Sequence, residues 1–369
     1  MKKIIFFDNW LSGQLLFRGD ILKHFQSKGF EIIIIAPPTK DKLYKIPKGI
    51  KFIPLDFNRT STSICGDIKL LIGIYKILKK ERPEFVFNYT IKPNIYGAIA
   101  SKLLGIRNAD MIAGLGYTFI SNSFSAKIAK FLYKIGLSCT DKLMLLNKHD
   151  VEKVIELNLC KKEKIVWLEG GEGVNLDSYP YFNNESKNSI FLFVGRLIED
   201  KGYNVFAEAA GIIKKRYPET KFWILGGFDL KYPRAISKET IKKDEKDKGI
   251  EYLGLTNKMI DYYRKPGIVI CIPSFYSEGL NRSLMEGCAT GKPIITCDNQ
   301  GCRETCNNGI NGYIVPPCDV NALVEAMEKY ILLSTQEKKE FSIESRKLAE
   351  ERFDIKEVIK VYEDILNYE

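Results

Sequence analysis

The chain has 369 residues, of which 45 % are hydrophobic, 12 % aromatic and 28 % charged, and its formal net charge is +10. This balance is normal for a well-packed globular protein, and the length suits two domains of roughly 150 to 200 residues each. No run of 18 or more apolar residues occurs, which excludes a membrane-spanning helix.

The first half of the chain predicts strands that alternate with helices. The apolar run Ile4–Phe7 is too short for a signal peptide and indicates a first buried strand, followed by a loop with Ser12-Gly13 and a helix over about 15–28. The run Glu31–Ala36 is rich in β-branched residues, which is typical of a parallel strand buried on both faces. Further strands are expected at 51–55, 85–88, 110–113 and 142–146, and helices at 67–81 and 125–136.

The second half repeats this alternation, so the predicted fold class is α/β with two doubly wound Rossmann-like domains. Strands are expected at 189–194, 221–225, 250–253, 268–272, 293–296 and 312–315, with a helix at 203–216. The predicted divisions are an N-terminal domain (1–170), a linker rich in Gly, Asn, Ser and Pro (171–187), a C-terminal domain (188–350) and a C-terminal helix that packs back on the N-terminal domain (351–369). We expect the domains to face each other across a cleft at the carboxyl ends of their strands, where ligands bind in such folds.

The excess positive charge lies entirely in the first half. Residues 1–180 carry 28 Lys and Arg against 17 Asp and Glu, a balance of +11, whereas residues 181–369 carry 28 against 29. Such a surface favours an anionic partner, and the apolar residues spaced beside lysines in two helices favour a lipid surface. These apolar residues are Leu70, Leu71, Ile74, Ile77, Leu78, Ile128, Phe131, Leu132 and Ile135. The alternative is that they pack on the sheet and the lysines are simply solvated; nucleic acid is not expected, because no basic stripe interleaves with stacking aromatics.

Nine cysteines are scattered without a regular framework, and the odd number favours reduced thiols in the cytoplasm. Cys297, Cys302, Cys306 and Cys318 lie close in sequence, but their spacing matches no standard zinc pairing. No Asp-x-Asp occurs. We therefore expect no metal and no cofactor.

The first motif with chemical content is Gly195–Gly202, which lies between a predicted strand and a predicted helix. Arg196 and Lys201 are thereby placed at the carboxyl edge of the sheet. Two cations at this edge suit a diphosphate, whose charge grows as a sugar–phosphate bond breaks. The alternative is a basic loop that only ends a strand.

The second motif runs from Pro273 to Gly287 and also follows a predicted strand. Glu278 and Glu286 are eight residues apart, which along a helix would be a rise of about 12 Å, roughly the reach from a donor sugar to its ribose. The start of a helix between them offers N–H groups and a positive dipole end to phosphates. The alternative is a surface helix with ordinary glutamates.

Taken together, the motifs Gly195–Gly202 and Glu278–Glu286 resemble those of the retaining family 4 glycosyltransferases, which have the two-domain GT-B fold. The stretches after Glu286, at 291–296, 301–304 and 311–313, resemble the subgroup that extends undecaprenyl-diphosphate-linked glycans in capsule, O-antigen or protein glycosylation. In the first half, Ser12-Gly13, 89–97 and 114–117 also resemble this subgroup.

The resemblance implies a role for each matching residue. Arg196 and Lys201 would hold the diphosphate, Glu286 the ribose and Glu278 the donor sugar, and the catalytic set would be Glu278, Arg196 and Lys201. The full donor-binding set would be Gly13, Gly195, Arg196, Lys201, Gly254, Leu255, Glu278, Gly279, Leu280, Asn281, Arg282, Ser283 and Glu286. The acceptor-side candidates would be Arg18, Lys92, Asn94, Gly114 and Gly116.

The resulting hypothesis is a retaining glycosyltransferase that moves a hexose or N-acetylhexosamine from a nucleotide sugar, with UDP favoured, to a lipid-linked glycan. It would act in bacterial surface polysaccharide or glycoprotein synthesis, at the inner face of the cytoplasmic membrane. The alternatives are a nucleotide-sugar epimerase of the same architecture and a non-catalytic protein that binds sugar nucleotides. The loop 112–116 lacks the histidine that many relatives carry, so the mechanism should not depend on a histidine base.

Overall fold

The computed structural model describes residues 2–39, 45–58, 63–115 and 124–367, and for residues 124–127 it describes the backbone alone. The chain forms two compact units: the first consists of residues up to Glu172 together with Ile355 onward, and the second of Gly173–Asp354. Of the predicted linker, residues 171–187, all but the first two lie in the second unit. Val174 is fully buried in the core of that unit, and its N–H donates to the carbonyl of Phe353 at 2.7 Å.

The first unit contains a parallel sheet in the order β3-β2-β1-β4-β5-β6-β7. Its strands are β1 (Lys3–Phe7), β2 (Glu31–Ala36), β3 (Lys51–Pro54), β4 (Phe85–Tyr89), β5 (Arg107–Ile112), β6 (Lys142–Leu145) and β7 (Ile165–Trp167). Both faces of the sheet are covered. Ile32 and Ile34 join the hydrophobic cluster on one face, and Ile33 and Ile35 join the cluster on the other. This is why β2 is an apolar run without alternation.

The second unit repeats the topology in the order β10-β9-β8-β11-β12-β13. Its strands are β8 (Ile190–Val194), β9 (Lys221–Leu225), β10 (Ile250–Tyr252), β11 (Ile268–Ile272), β12 (Ile294–Cys297) and β13 (Gly312–Val315). Val269 and Cys271 enter one hydrophobic cluster, and Ile268, Ile270 and Ile272 enter the other. The prediction of two doubly wound parallel sheets is confirmed.

The helices cover both sheets. Those of the first unit are α1 (Leu11–Ser27), α2 (Ile64–Glu81), α3 (Ala98–Leu103), α4 (Phe124–Cys139) and α5 (Lys148–Glu156), with a π-helical turn at Pro93–Gly97. Those of the second are α6 (Tyr203–Arg216), α7 (Lys238–Lys248), α8 (Ile260–Tyr263), α9 (Arg282–Ala289), α10 (Val320–Leu332) and α11 (Thr335–Arg352). The last helix, α12 (Ile355–Asn367), buries Val358, Tyr362 and Ile365 in the core of the first unit. Among the described residues, no helix is long and apolar enough to cross a membrane.

Several element boundaries differ from the sequence-based prediction, and two of them are instructive. Helix α1 begins at Leu11, so Ser12-Gly13 lies in its first turn rather than in a loop. Strand β5 begins at Arg107 instead of Asp110, because the polar side chains at its start are buried with partners. Asn88 donates to the Asp110 carboxylate at 2.8 Å, and the N–H of Asn108 donates to Asp141 at 2.9 Å.

Candidate active site

Strand order places a crevice at the carboxyl ends of β8 and β11. The chain runs from β8 outward through β9 and β10 on one side and through β11, β12 and β13 on the other, so the loops after β8 and β11 diverge. Ligands bind at such a switch point in doubly wound sheets. The loop after β8 carries Arg196 and Lys201, and the loop after β11 carries Glu278.

Lys201 and Glu278 form an ion pair at this crevice. The Lys201 ammonium lies 2.7 Å from the Glu278 carboxylate, and the two side chains are only 13 % and 11 % exposed. Pairing offsets the desolvation cost of burying the two charges, which would be large for an isolated charge. The two sequence motifs therefore meet at a single point of the structure.

Glu278 is also tied to the start of helix α9. Its carboxylate accepts hydrogen bonds from the Ser274 hydroxyl at 2.8 Å and from the Asn281 side-chain amide at 3.0 and 3.1 Å. The carbonyl oxygen of the same Asn281 amide caps α9 by accepting from the N–H of Leu284 at 3.2 Å. Asn281 thus fixes the carboxylate relative to the first turn of the helix.

The separation of the two glutamates was predicted wrongly as a rise along one helix. Glu278 lies in the loop before α9, whereas Glu286 lies inside that helix. The reason is that the helix begins only after the Asn281 cap. The rise of a continuous helix therefore does not describe the distance between them.

Glu286 is buried, with 4 % of its surface exposed, and is held by two neighbours. Arg282, one turn earlier on α9, donates through Nε to its carboxylate at 2.8 Å, and the Tyr263 hydroxyl donates at 3.3 Å. Burial, followed by the charge of Glu286, raises the pKa of Tyr263 well above its ordinary value, so this hydroxyl stays a donor. A carboxylate with defined neighbours can still accept hydrogen bonds through its remaining lone pairs.

Arg196 is the more exposed of the two predicted cations, at 42 % of its side chain. Its guanidinium donates to Asp229 at 3.1 Å and lies 5.1 Å from the centre of the Tyr276 ring. Burial by itself would lower the pKa of Arg196. The hydrogen bonds and charges of Tyr276 and then Asp229 together have the larger effect, so the pKa is raised above its ordinary value. The group therefore keeps its charge at the edge of the crevice.

The loops of the site pack closely on one another. Gly202 has a φ of 83°, and a Cβ at this position would overlap the carbonyl of Pro273, so only glycine lets the two loops approach. The Asn299 amide, after β12, donates to the carbonyls of Ser274 and Tyr276 at 3.2 and 2.7 Å. The segment that carries Glu278 is thus supported from a third strand end.

Apart from Gly13, which lies in the first turn of α1 in the first unit, the other donor-side predictions lie around the same edge. Gly254 follows β10, and its carbonyl accepts from the N–H of Gly226 at 2.9 Å; the next residue, Leu255, is 61 % exposed. The N–H of Gly195 donates to the carbonyl of Leu225 at 3.0 Å. Predicted residues at the start of α9 are Gly279, Leu280, Arg282 and Ser283.

In the first unit, Arg18 is buried instead of presented to an acceptor. Its guanidinium pairs with Asp8 at 3.1 Å and with Glu172, and it stacks 3.9 Å from the centre of the Tyr89 ring. Burial, only partly offset by Arg18, raises the pKa of Asp8 to about 6. Direct acceptor binding by Arg18 is therefore not supported, because its charge is already neutralised inside the unit.

Asn94 is fully buried as well, and its amide donates to the carbonyl of Met111 at 2.8 Å. A group enclosed in the π-helical turn cannot reach an acceptor without rearrangement, so this assignment is not supported either. Lys92 is partly buried and pairs with Asp67 at 2.6 Å. Gly114 is partly exposed with a φ of 121°, and Gly116 lies outside the described residues.

Family matches cover both units. The family described as Glycosyl transferases group 1 matches residues 180–348, which include both motifs of the second unit, and the family described as Glycosyl transferase 4-like matches residues 4–147. The chain belongs to these glycosyltransferases. The predicted family resemblance is confirmed.

Two characterised relatives illustrate the similarity of this glycosyltransferase. It is 26 % identical over 314 residues to the N,N'-diacetylbacillosaminyl-diphospho-undecaprenol alpha-1,3-N-acetylgalactosaminyltransferase of Campylobacter jejuni, covering 80 % of each chain. It is 28 % identical over 282 residues to the UDP-Gal:alpha-D-GlcNAc-diphosphoundecaprenol alpha-1,3-galactosyltransferase of Escherichia coli, covering 72 % of this chain and 70 % of the relative.

Solved structures show that the glycosyltransferase has the GT-B fold. A glycosyltransferase from Rickettsia africae matches with a TM-score of 0.78 at 21 % identity, covering 100 % of this chain and 99 % of the other. HepE from Anabaena, solved in complex with UDP and glucose, matches with a TM-score of 0.78 at 15 % identity over the full length of both chains. At these identities the likeness concerns the fold alone.

Several supporting residues of the glycosyltransferase were not singled out from the sequence. Ser274 and Asn299 position the Glu278 segment, Tyr263 contacts Glu286, and Asp229 pairs with Arg196. Ser274 lies within the second motif, so its position was a usable signal. Asp229 and Asn299 come from separate loops and Tyr263 comes from helix α8, and nothing in their local sequence indicates their partners.

Proposed function

We propose that the enzyme transfers a sugar from a nucleotide sugar, with UDP as the nucleotide, to a lipid-linked glycan with retention of the anomeric configuration. The observation that carries the proposal is the buried Lys201–Glu278 pair, fixed by Asn281 at the switch point of the second sheet. The pair places a cation, which can stabilise a leaving diphosphate, next to a carboxylate, which can accept hydrogen bonds from sugar hydroxyls.

The donor would extend along the carboxyl edge of the second sheet. An ammonium has three N–H donors, so Lys201 can keep Glu278 and still bind a phosphate oxygen. Arg196 and the N–H groups of the first turn of α9, which begins at Arg282, would bind the remaining charge. Glu286 would accept from the ribose, and the base would lie against Gly254 and Leu255.

Transfer would then proceed on one face of the sugar. The acceptor hydroxyl oxygen forms a bond to the anomeric carbon as the bond from that carbon to the diphosphate oxygen breaks. The hydroxyl proton passes to the leaving phosphate, whose growing charge Lys201 and Arg196 stabilise. No protein base is needed in this scheme, which suits a chain without a histidine in the loop 112–116.

The donor assignment is tested by protection against thermal unfolding. At a ligand concentration of about 100 times its Kd, binding to the folded state adds about 2.7 kcal/mol of stability. We expect UDP and one or a few UDP-sugars to raise Tm, and matched GDP, CMP and dTDP compounds to have little effect. Protection by another nucleotide alone would reassign the donor, and protection by no nucleotide would contradict the proposed function.

Replacing Glu286 by alanine is expected to weaken UDP binding by roughly ten- to a hundredfold, which corresponds to the loss of charge-assisted hydrogen bonds of about 1.5–3 kcal/mol. Calorimetric titration with UDP measures this. Because the change leaves Arg282 without its carboxylate, Glu286→Gln serves as a matched variant that retains the shape of the side chain. UDP affinity within twofold of wild type in both folded variants would contradict the assignment of Glu286 to ribose binding.

Activity is expected to be independent of metal ions. The chain has no Asp-x-Asp, and among the described residues no group of three or more His, Cys, Asp or Glu side chains could hold a metal ion. Arg196 and Lys201 supply the positive charge instead. Turnover measured after chelation should equal that with added Mg²⁺ or Mn²⁺; loss in chelator and recovery with either ion would contradict this prediction.

The acceptor is proposed to be a sugar on a polyprenyl diphosphate. This rests on the names of the Campylobacter jejuni and Escherichia coli relatives, both of which specify an undecaprenyl-diphosphate-linked acceptor. A Staphylococcus aureus relative, the capsular polysaccharide biosynthesis glycosyltransferase CapM, is 22 % identical over 334 residues. Together they favour a role in the synthesis of surface glycans.

We propose that the first unit docks on an anionic membrane surface through α2 and α4. Most of the apolar residues expected there instead pack inward: Leu70, Ile74 and Leu78 are buried against the sheet, and Leu71, Ile77 and Leu132 are partly buried. The remaining three expected residues, Ile128, Phe131 and Ile135 on α4, are exposed at helical spacing. Ile64, Ile68 and Ile72, which were not singled out from the sequence, are exposed in the same way on α2.

Co-sedimentation with vesicles tests this docking. Lysines near an anionic surface contribute about 1 kcal/mol each, so binding should rise with anionic lipid content and fall with salt. We expect Phe131→Asp, which changes a side chain that is 65 % exposed, to weaken binding about tenfold or more. Leu332→Asp, at a similarly exposed site in the second unit, should have no effect. Vesicle binding that does not change with anionic lipid content, with salt or in Phe131→Asp would contradict the docking.

A further inference from the structure

Trp10 is a large aromatic side chain that the fold leaves exposed at the switch point of the first sheet. It lies three residues after the end of β1, at the cap of α1, and 44 % of its surface is exposed. The strand order reverses direction at β1, with β2 on one side and β4 on the other, so the loops after β1 and β4 border a crevice. An exposed indole at this edge costs hydrophobic free energy, which binding of a ligand would recover.

The indole is held in place rather than free to collapse on the surface. The backbone N–H of Trp10 donates to the Asp8 carboxylate at 3.2 Å, which fixes the main chain at this position, and Asp8 is in turn paired with the buried Arg18. The Trp10 ring meets Phe17 edge-on, with 6.4 Å between the ring centres. Its six-membered ring lies over Gly13, where a Cβ would overlap it. Gly13, which the family resemblance places in the donor-binding set, thus has a second role in making room for Trp10.

The neighbouring loop contributes a second apolar side chain at the same edge. Ile91 follows β4 and is 42 % exposed. Asn9, which precedes Trp10 in the chain and is partly exposed, supplies a side-chain amide that can hydrogen-bond. A site with an aromatic platform and a few polar groups matches the needs of a pyranose ring, which has one face of C–H groups and a rim of hydroxyls.

We propose that Trp10 is the platform on which the terminal sugar of the acceptor stacks, with Gly13 and Asp8 as the residues that position it. This proposal rests on the proposed function and adds to it a specificity-determining residue for the acceptor. Because aromatic packing of this kind contributes a modest free energy beyond area burial, the expected effect of losing it is roughly a tenfold rise in the KM for the acceptor. The KM for the donor and the affinity for UDP should be unchanged.

Kinetics and fluorescence together test the platform. The acceptor probe is chosen from short alkyl diphosphates that carry N-acetylglucosamine, N-acetylgalactosamine or galactose, as the one that the wild-type enzyme extends. Trp10→Leu should raise its KM, whereas Trp10→Phe should retain most of the affinity. Trp167→Leu is the matched control, since this tryptophan is 41 % exposed on β7, outside the switch point.

The chain has three tryptophans, so the double variant Trp167→Phe and Trp223→Phe leaves Trp10 as the single indole. Its emission should change with the glycosylated probe and not with the same alkyl diphosphate without sugar. A change with the sugar-free probe or with anionic vesicles would show a lipid contact and overturn the proposal, as would an acceptor KM unaltered in Trp10→Leu. Normal protection by UDP in these variants would show that the failure concerns the platform and not the proposed function.

Discussion

The Lys201→Met variant is expected to have a kcat/KM for the donor about a hundred- to a thousandfold below wild type, the usual effect of removing one donor that stabilises charge in a transition state. Lys201 lies 2.7 Å from Glu278 and is 13 % exposed, so its charge acts in a site with little water to screen it. The measurement is steady-state turnover of the UDP-sugar that protects against thermal unfolding, at saturating acceptor.

A second lysine provides the control. Lys248 also pairs with carboxylates, Glu208 and Asp244 at 2.8 Å each, but it lies at the end of α7, before the amino end of β10. Lys248→Met removes the same kind of ion pair away from the carboxyl edge, and kcat/KM should stay within about twofold of wild type. Equal losses in the two variants would mean that Lys201 matters through stability and not through the leaving diphosphate.

The Glu278→Ala variant is expected to lose about a hundredfold or more in kcat while UDP affinity changes little. Glu278 is placed at the sugar end of the donor, where it accepts hydrogen bonds, so its loss should raise the barrier to transfer more than it weakens binding of the nucleotide. Turnover measured beside a UDP titration separates the two effects. A kcat within threefold of wild type would contradict the assignment.

Stability must be separated from chemistry in this variant. Removing one partner of a buried ion pair costs about 3–5 kcal/mol, because the other charge is left unpaired. The double variant Lys201→Met with Glu278→Gln removes both charges and should recover much of that stability while remaining inactive. Unfolding free energies of the two single variants and the double variant test this directly.

All the described strands except β7 were predicted from the sequence, because their patterns are strong. Glu31–Ala36 and Ile268–Ile272 are continuous apolar runs, as expected where both faces of a parallel sheet are covered. Strand β5 was predicted to begin too late, since Asn108 and Asp110 are polar. Their partners, Asp141 and Asn88, are distant in sequence, so the pairing is not readable locally.

The start of α1 was missed for a different reason. Trp10 occupies the cap position without a side-chain hydrogen bond, so the usual Ser, Thr, Asp or Asn signal is absent. The roles of Arg18 and Asn94 were likewise not readable, because burial depends on Glu172 and Met111 far along the chain. A basic or amide residue near a predicted sheet edge indicates a ligand site only if the tertiary structure leaves it accessible.

The site in the second unit was predictable in outline. Two motifs, each after a strand of a doubly wound sheet, must come to the same edge, and the structure brings Lys201 and Glu278 into contact there. The exact position of Glu278 was not predictable, because the loop between Pro273 and Asn281 is not helical and its spacing in sequence does not give its shape. Its conformation depends on Asn299 and on the glycine at 202, which belong to other strand ends.

The most direct test of the central claim is the product of transfer. The purified enzyme is incubated with the protecting UDP-sugar and an alkyl-diphosphate-linked sugar acceptor, and the product is examined by mass spectrometry and by NMR of the new anomeric carbon. We predict one added hexose or N-acetylhexosamine in the same anomeric configuration as in the donor. An inverted linkage would contradict retention, and conversion of the UDP-sugar to its epimer without growth of the acceptor would contradict glycosyl transfer itself.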